Sequence, residues 1–481
     1  MIRKLFLVCC CLAMMVQAAW GTDRVDADNR AFHQDLSSLT LFQCIEIALE
    51  QNQKQRISKL AVDTAGYQHK QALSSLWPHL TFEAAYNQQD EDTTFIFPEN
   101  SYVYDIALPG LGTITGQTTV PEQHVTVMDR ESVLSSLNMT FPLFTGGLRS
   151  GAIEAAQSNT LAAKQALRRT ELELVRDVQR MYYGVVVARR LSDIGEETLA
   201  RLKTTSELTE RLYKAGSGSV TKLDYLRSGV VLESARAIVE RLTSNVALSK
   251  AALGNTIGLD WDTAFEISET AIPLVAMDAD LNKLVDGAYR FNPDWKRLAA
   301  GLEAAEALVK KEQSGYMPKV ALTGSLWRWN NNLDDAGLST EENEAGWRVG
   351  LGLQMPIFTG FMTTNKIKEA KARLKKLESQ QILLKKGLAL QVKHGVIRVD
   401  RSQKIRRACA KAADNARQHC ELAVRAYMNE LVSTQVVIES QIFEALARAK
   451  SEMAQFENAV ARFDIDFIVG RKVQKLLGDD R

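Results

Sequence analysis

The sequence predicts a mainly α-helical chain, internally duplicated, that also carries a transmembrane β-barrel portion. Three observations predict it. The stretch Phe141-Pro142-Leu143-Phe144-Thr145-Gly146-Gly147-Leu148-Arg149 returns as Met355-Pro356-Ile357-Phe358-Thr359-Gly360-Phe361-Met362-Thr363, with the two prolines 214 positions apart (356 minus 142). Each copy ends a short alternating segment and opens a very long one without proline: of the 9 prolines, none falls in residues 143–272 or 357–481. The alternating segments run ~9–11 residues, the length a tilted strand needs to cross a bilayer. A proline tolerated at a strand end, followed by a Thr-Gly turn, reads as a strand-to-helix switch. Pro142, Gly146, Gly147, Pro356 and Gly360 are therefore candidate seam residues.

The N-terminus sets the address. Arg3 and Lys4 precede an apolar run from Leu5 to Val16 and small residues at Ala18, Ala19 and Gly21, the layout of a secretory signal peptide over residues 1–21. Cys9, Cys10 and Cys11 follow Val8, Cys9 and Cys10 rather than Gly or Ala, which favours a chain without a lipidated cysteine. No later run reaches the ~18 apolar residues of a membrane-spanning helix. A formal net charge of +1 gives no reason to expect a nucleic-acid partner.

The first repeat is expected over 22–258. Residues 41–77 read as helix, with Ile45, Ala48 and Leu49 on one face and a break at Asn52. A strand at ~79–89 follows, placing Leu80, Phe82, Ala84 and Tyr86 on one face. Its partner at ~132–143 does the same with Val133, Leu137, Met139 and Phe141. Residues 88–131 between them read as a polar loop with a turn at Pro109-Gly110-Leu111-Gly112. A helical hairpin at ~146–258 turns back at Gly216-Ser217-Gly218-Ser219. Its outgoing stripe is Leu172, Val175, Gln179, Tyr182 and Val186, and its return stripe Val231, Ala235, Ile238, Leu242 and Asn245. Stripes this narrow suit coiled-coil packing.

After a linker at 259–280, the second repeat is expected over 281–470, with a tail at 471–481. Helix at ~281–316 breaks at Asn292-Pro293. Strands follow at ~319–329 (Val320, Leu322, Leu326) and ~346–357 (Trp347, Val349, Leu351, Leu353, Met355). A second hairpin at ~360–470 carries Leu374, Leu377, Leu384, Leu388, Val392, Val396 and Val399. Trp77, Tyr86, Phe141, Trp327, Trp329 and Trp347 fall near strand ends, as an interfacial aromatic girdle would. A soluble sandwich is the other reading of the strands. Four strands would make a poor one, and the export signal favours the membrane.

No catalytic constellation is legible. The histidines His33, His69, His79, His124, His394 and His419 are scattered without metal-ligand spacing. Cys409, His419 and Cys420 have the wrong geometry on one helix for three ligands to a soft metal. Cys409 and Cys420 lie 11 positions apart, ~16 Å along a helix, too far to bridge. With Cys44 they read as small buried hydrophobes. No enzyme, cofactor or metal site is expected.

The Asn52 and Asn292-Pro293 breaks, the Trp77-Pro78 and Met317-Pro318 switches, the doubled Pro-x-Phe-Thr-Gly motif, and Arg211-Leu212-Tyr213-Lys214-Ala215-Gly216 with Lys222-Leu223-Asp224-Tyr225-Leu226 together resemble the TolC-type outer-membrane efflux proteins. The resemblance covers nearly the whole mature length. It implies a homotrimer whose chains each give four strands to one barrel in the lipid of the Gram-negative outer membrane. Their long helices would form a periplasmic α-barrel tunnel. It further implies a periplasmic adaptor (membrane fusion) protein and an inner-membrane pump of RND or ABC type, serving tripartite efflux or type I secretion. A non-transporting coiled-coil scaffold is the alternative.

The family gate lies at the periplasmic tips, and the resemblance places it here at Arg425, Tyr427, Glu430 and Glu439. Tyr427 matches the family tyrosine. Glu430 replaces the family glycine, Val436 stands where the first gate aspartate is expected, and Glu439 takes the second acidic position. Glu439 is either an anionic constriction or a solvated helix-end carboxylate. Gly216, Ser217, Gly218, Ser219 and Val220 on one tip, and Leu431, Val432 and Ser433 beside Glu430 on the other, are either adaptor contacts or plain helix-reversing turns.

Overall fold

The computed structural model describes residues 36–128, 130–273, 280–331, 343–429 and 431–470. The expected signal peptide at 1–21, the expected tail at 471–481 and Glu430 lie outside them. Residues 36–40 with Ala264–Ser268 form one small unit, in which Leu39 N–H donates to Glu266 O at 2.8 Å and Ser268 N–H to Leu39 O at 3.0 Å. Both repeats contribute to a second, larger unit.

In the larger unit, helices α1 (Leu41–Gln51) and α2 (Gln53–Ser74) precede the first strands, and α5 (Leu281–Phe291) and α6 (Pro293–Gln313) the second ones. Each pair is broken by a buried asparagine working in two directions. Asn52 Oδ1 accepts from Lys54 N–H at 2.8 Å, capping α2, while its Nδ2 donates to Thr256 O at 2.8 Å. Asn292 Oδ1 accepts from Asp294 N–H at 2.8 Å and Trp295 N–H at 3.2 Å, while its Nδ2 donates to Ile468 O at 2.8 Å. One amide thus caps a helix start and satisfies a carbonyl at a helix end. Those ends close at Gly258 (φ +91°) and Gly470 (φ +79°), and a Cβ on Gly470 would sit 2.9 Å from Phe291 O. Only glycine fits there.

Strands β1 (His79–Gln88), β6 (Glu131–Phe144), β7 (Lys319–Asn331) and β8 (Asn343–Gln354) form one antiparallel sheet in the order β1-β6-β7-β8. The register joins the alternations that the sequence shows. Leu80 lies across from Met139, then Gly324, then Val349; Phe82 across from Leu137, then Leu326, then Trp347. One face is therefore apolar across all four strands, and the other carries Thr81, Glu83, Asn138, Ser136, Thr323 and Arg348. The apolar face is bare in the single chain: Phe82 is 61 % exposed and Leu351 69 %. The register also moves part of the expected girdle. Trp327 pairs with Ser136 and Gly346, and Trp329 with Leu134, so both belong to the polar face, opposite Tyr86, Phe141 and Trp347. Gly346 leaves the space in which the Trp327 ring lies.

Residues 88–131 are not a plain loop. Strand pairs β2 (Thr93–Phe97) with β5 (Gln123–Met128), and β3 (Asn100–Leu108) with β4 (Gly112–Val120), continue the hairpin beyond β1 and β6. Thr, Val, Ile, Phe and Tyr are concentrated there, which favours strand, although Asp90, Glu91 and Asp92 give the segment the look of a loop. Gly110 (φ +88°) and Gly112 (φ +91°) make the turn.

The long helices repeat in length: α3 (Leu148–Lys214) and α7 (Met362–Met428) have 67 residues each, and α4 (Lys222–Ile257) and α8 (Thr434–Val469) have 36. At ~1.5 Å per residue the longer ones reach ~100 Å. Leu172, Val175, Gln179, Tyr182 and Val186 of α3, and Leu388, Val392 and Val399 of α7, are buried as their spacing requires. The α4 stripe differs. Ile238 is 56 % exposed, and with Val231, Ala235 and Leu242 it lines an open apolar groove of about 460 Å³ shared with α3 and α8. Cys44 and Cys420 are buried free thiols, while Cys409 is only half-buried.

Candidate functional site

Two regions carry the sequence-predicted site residues: the seam between sheet and helix, and the tips of the hairpins. At the first seam β6 runs through Pro142, which pairs with Ala321, and ends after an irregularity at Phe144. Gly146 (φ +63°) and Gly147 (φ +97°) then swing the chain into α3. Arg149 ties the corner together. Its Nη1 donates to Ser75 O at 3.2 Å, its Nη2 to Leu143 O at 3.1 Å, and its Nε to Thr145 Oγ1 at 3.4 Å. Helix end, strand end and cap thus share one guanidinium.

The second seam is built differently. β8 stops at Gln354, short of the expected 357, so Pro356 lies just beyond the ladder; Gly360 (φ +60°) precedes α7. Thr359 Oγ1 accepts from Thr363 N–H at 3.3 Å, the counterpart of the Thr145 cap. Where the first copy has Gly147, this one has Phe361 at φ +62°, the sole non-glycine with positive φ among the described residues. A bulky residue there costs ~1–2 kcal/mol. Phe361→Gly should therefore stabilise the chain by up to ~1 kcal/mol, since the looser unfolded chain takes back ~0.4–1 kcal/mol. A fall in melting temperature would show that the edge-on Phe358–Phe361 contact (ring centroids 5.6 Å apart) outweighs the backbone strain.

At the hairpin tips, Gly216 (φ +70°) turns α3 towards α4. Thr221 and Asp224 close a reciprocal capping box at the start of α4. Gly216, Gly218 and Ser219 are exposed and Ser217 half-buried, but Val220 is buried at 7 % exposure and faces inward. Of the candidates on this tip, Val220 is the one most enclosed in the single chain. On the second tip Leu431 is 77 % exposed, Ser433 is exposed and Val432 half-buried. The hydrogen bonds from Thr221 hold the Asp224 carboxyl below the usual carboxylate range. Such a depressed group stabilises the cap above its ordinary value of 3.8 and loses that contribution as pH falls through the lower folded value. Amide protection at residues 217–225, taken relative to the unstructured-chain exchange rate at each pH, should thus be full above 3.8 and fall as the pH drops below it, and Asp224→Asn should abolish the pH step.

The gate candidates do not form one network. Tyr427 OH lies 3.1 Å from Thr434 Oγ1, across its own turn. Glu439 is exposed; its Oε1 accepts from Gln435 Nε2 at 2.7 Å, and Gln435 Oε1 accepts from Arg227 of α4. Arg425 borders a groove of about 800 Å³ with Arg201, Arg417, Cys420, Tyr427 and Glu444. Lining that groove is a charge cluster that sequence reasoning missed. Arg201 Nη1 donates to Glu444 Oε2 at 2.6 Å, and Arg448 Nη1 to Glu197 Oε2 at 2.6 Å, joining α3 to α8. Glu444 is only 4 % exposed. The signal was present as two Glu-x-x-x-Arg pairs, Glu197/Arg201 and Glu444/Arg448, that exchange partners across antiparallel helices. The hydrogen bond from Arg448 holds Glu197 below the usual carboxylate range. Burial pushes the Cys420 thiol up, with Glu444 adding to the shift. Burial likewise takes Cys44 up to about 12, assisted by the Glu269 charge.

The family model for outer membrane efflux proteins matches residues 44–259 and 284–462. The chain belongs to the outer membrane efflux protein family. Its two matched stretches each take in most of a helix pair, two strands of the four-stranded sheet and most or all of a long hairpin. Relatives are distant: Protein CyaE of Bordetella pertussis (strain Tohama I) is 26% identical over 276 residues, 57% of this chain and 57% of CyaE. The match thus spans just over half the length of that relative. The cation efflux system protein CusC of Escherichia coli O157:H7 is 22% identical over 428 residues, 89% of this chain and 78% of CusC. The crystal structure of the Campylobacter jejuni CmeC outer membrane channel has the same fold, with a TM-score of 0.71 at 15% identity over 89% of this chain and 85% of CmeC. This efflux protein is therefore an outer-membrane one, and its described helices include none long and apolar enough to cross a membrane.

Proposed function

We propose that three copies close one barrel in the outer membrane and extend their long helices as a single periplasmic tunnel. The tunnel receives cargo from an inner-membrane pump of RND or ABC type through a periplasmic adaptor. One observation carries this reading: a four-stranded sheet with a continuous apolar face and two unpaired edges, β1 and β8. Open edges are not tolerated in lipid, so the sheet must close with further strands. A coiled-coil scaffold would have no use for that face. The chain acts as a passive conduit without a cofactor of its own. The exposed turns at 216–219 and 431–433 are proposed as adaptor contacts, and the groove beside Arg425 and Tyr427 as the gate region.

Detergent-extracted protein should have the mass of a trimer and open pores in planar bilayers. Glu439 stands at the solvated side of its helix, where three symmetric copies can ring the pore with negative charge. Glu439→Ala should raise single-channel conductance or reduce cation preference. Unchanged current and selectivity would make Glu439 a solvated helix-end carboxylate and nothing more.

A further inference from the structure

We infer that the β8 edge of one chain pairs with the β1 edge of a second copy at a stagger of four residues, with Leu351 directly across from Phe82. The inference rests on the trimeric-barrel reading and specifies the surface by which the copies meet. Within one chain the ladder runs level from Phe82 through Leu137 and Leu326 to Trp347. Closing the sheet at that level would put Trp347 of one chain across from Phe82 of the next, which is a barrel of untilted strands.

Barrels need tilt. With ~4.8 Å between strands and ~3.4 Å per residue, twelve strands tilted by ~35° accumulate a stagger of about 12 residues, or about four per chain; at ~45° it is about six. Odd staggers are excluded, because a slip of one residue would turn the apolar face of the next chain inward.

The tilt leaves four and six among the even values, and strand lengths choose between them. At four, all 10 residues of β1 find partners, from His79 across from Gln354 to Gln88 across from Ala345. At six, His79 and Leu80 would lie beyond Gln354, and Trp347 would face Gln88. A stagger of four in the opposite sense leaves partners only for residues 343–346.

The side chains agree with four. On the apolar face Tyr86 meets Trp347, Phe82 meets Leu351 and Leu80 meets Leu353, all of them more than half exposed in the single chain. Aromatic and aliphatic cross-strand pairs of this kind stabilise sheets. On the polar face Glu83 stands across from Gly350, which has no side chain, and diagonal to Arg348. That leaves room for a carboxylate–guanidinium contact between chains.

Paired cysteines test the register. Directly opposed residues have Cα atoms ~4.5–5.5 Å apart, within disulfide reach. Phe82→Cys/Leu351→Cys should give covalent dimers and trimers on mild oxidation of the detergent-extracted protein. Phe82→Cys/Trp347→Cys (no stagger) and Phe82→Cys/Leu353→Cys (six) should not, with the unaltered chain, which carries Cys44, Cys409 and Cys420, as control. A trimer that cross-links through either of the latter pairs overturns the register alone. A trimer that cross-links through none likewise overturns the stagger of four. Protein that is monomeric by mass overturns the barrel reading beneath it.

Discussion

Arg201→Ala should destabilise the helical bundle by about 2 kcal/mol and raise the pore's open probability. Glu444 is almost fully enclosed, and Arg201 is the closer of its two cations, at 2.6 Å against 3.8 Å for Arg448. Removing one partner of a buried pair costs ~3–5 kcal/mol, because the charge left behind has lost its water. Arg201 itself is 46 % exposed, so solvent reaches into the space it vacates and brings the cost below that range, to about 2 kcal/mol. The Arg201/Glu444 and Arg448/Glu197 links are cross-braces between the first hairpin and the second. Loosening them should let α8 move relative to α3 near the tips. Thermal unfolding would measure the first effect and planar-bilayer recording the second. Arg201→Ala combined with Glu444→Met should recover most of the stability, since an apolar side chain of similar size needs no counter-charge. A loss below about 0.5 kcal/mol in the single variant would show that water already screens Glu444.

Gly146→Val should cost about as much or more, ~2–5 kcal/mol, and should prevent recovery of the proposed trimer. Two penalties coincide there. The residue lies at φ +63°, where an L side chain costs ~1–2 kcal/mol. A Cβ at that position would also overlap the Cβ of Met317, an atom no rotamer can move; overpacking of this kind adds ~1–3 kcal/mol. Gly360→Val meets only the first penalty, because no atom lies within 4 Å of its Cβ position. The two variants are each other's control: equal losses would mean that the Met317 contact relaxes freely. The doubled motif therefore hides an asymmetry. The first seam is packed tight against the turn after α6, and the second is open.

Much of the fold was legible because its signals are local and repeated. A buried stripe such as Leu172, Val175, Gln179, Tyr182 and Val186 declares a helix face by spacing alone, and the alternation of Leu80, Phe82 and Tyr86 declares a strand. Strands β2 to β5 were lost because Asp90, Glu91 and Asp92 look like loop residues when the partner strand, some 30 positions away, is not in view. Trp327 and Trp329 were placed with the girdle by residue type, although their odd numbering puts them on the face of Thr323 and Ser325. The tip was the least legible region. Whether Glu439 meets Gln435, and whether Glu444 meets Arg201, depends on how two helices rotate against each other, and single-helix spacing does not encode that rotation.

The two hinge asparagines also bear on how the protein ages. Asparagine loses its amide chiefly when the next residue's backbone nitrogen attacks the side-chain carbonyl, and the product is an acid. At Asn52 or Asn292 an acid would aim an oxygen, not an N–H, at the carbonyl of Thr256 or Ile468. Oxygen facing oxygen would unlock the joint. Asn292 is followed by Pro293, whose ring nitrogen cannot carry out the usual attack. Asn52 is followed by Gln53, the first residue of a helix that holds the backbone away from the required geometry. The second joint is thus shielded by its sequence and the first only by its fold. Of the two, the joint at Asn52 is the one whose slow chemistry would mark time.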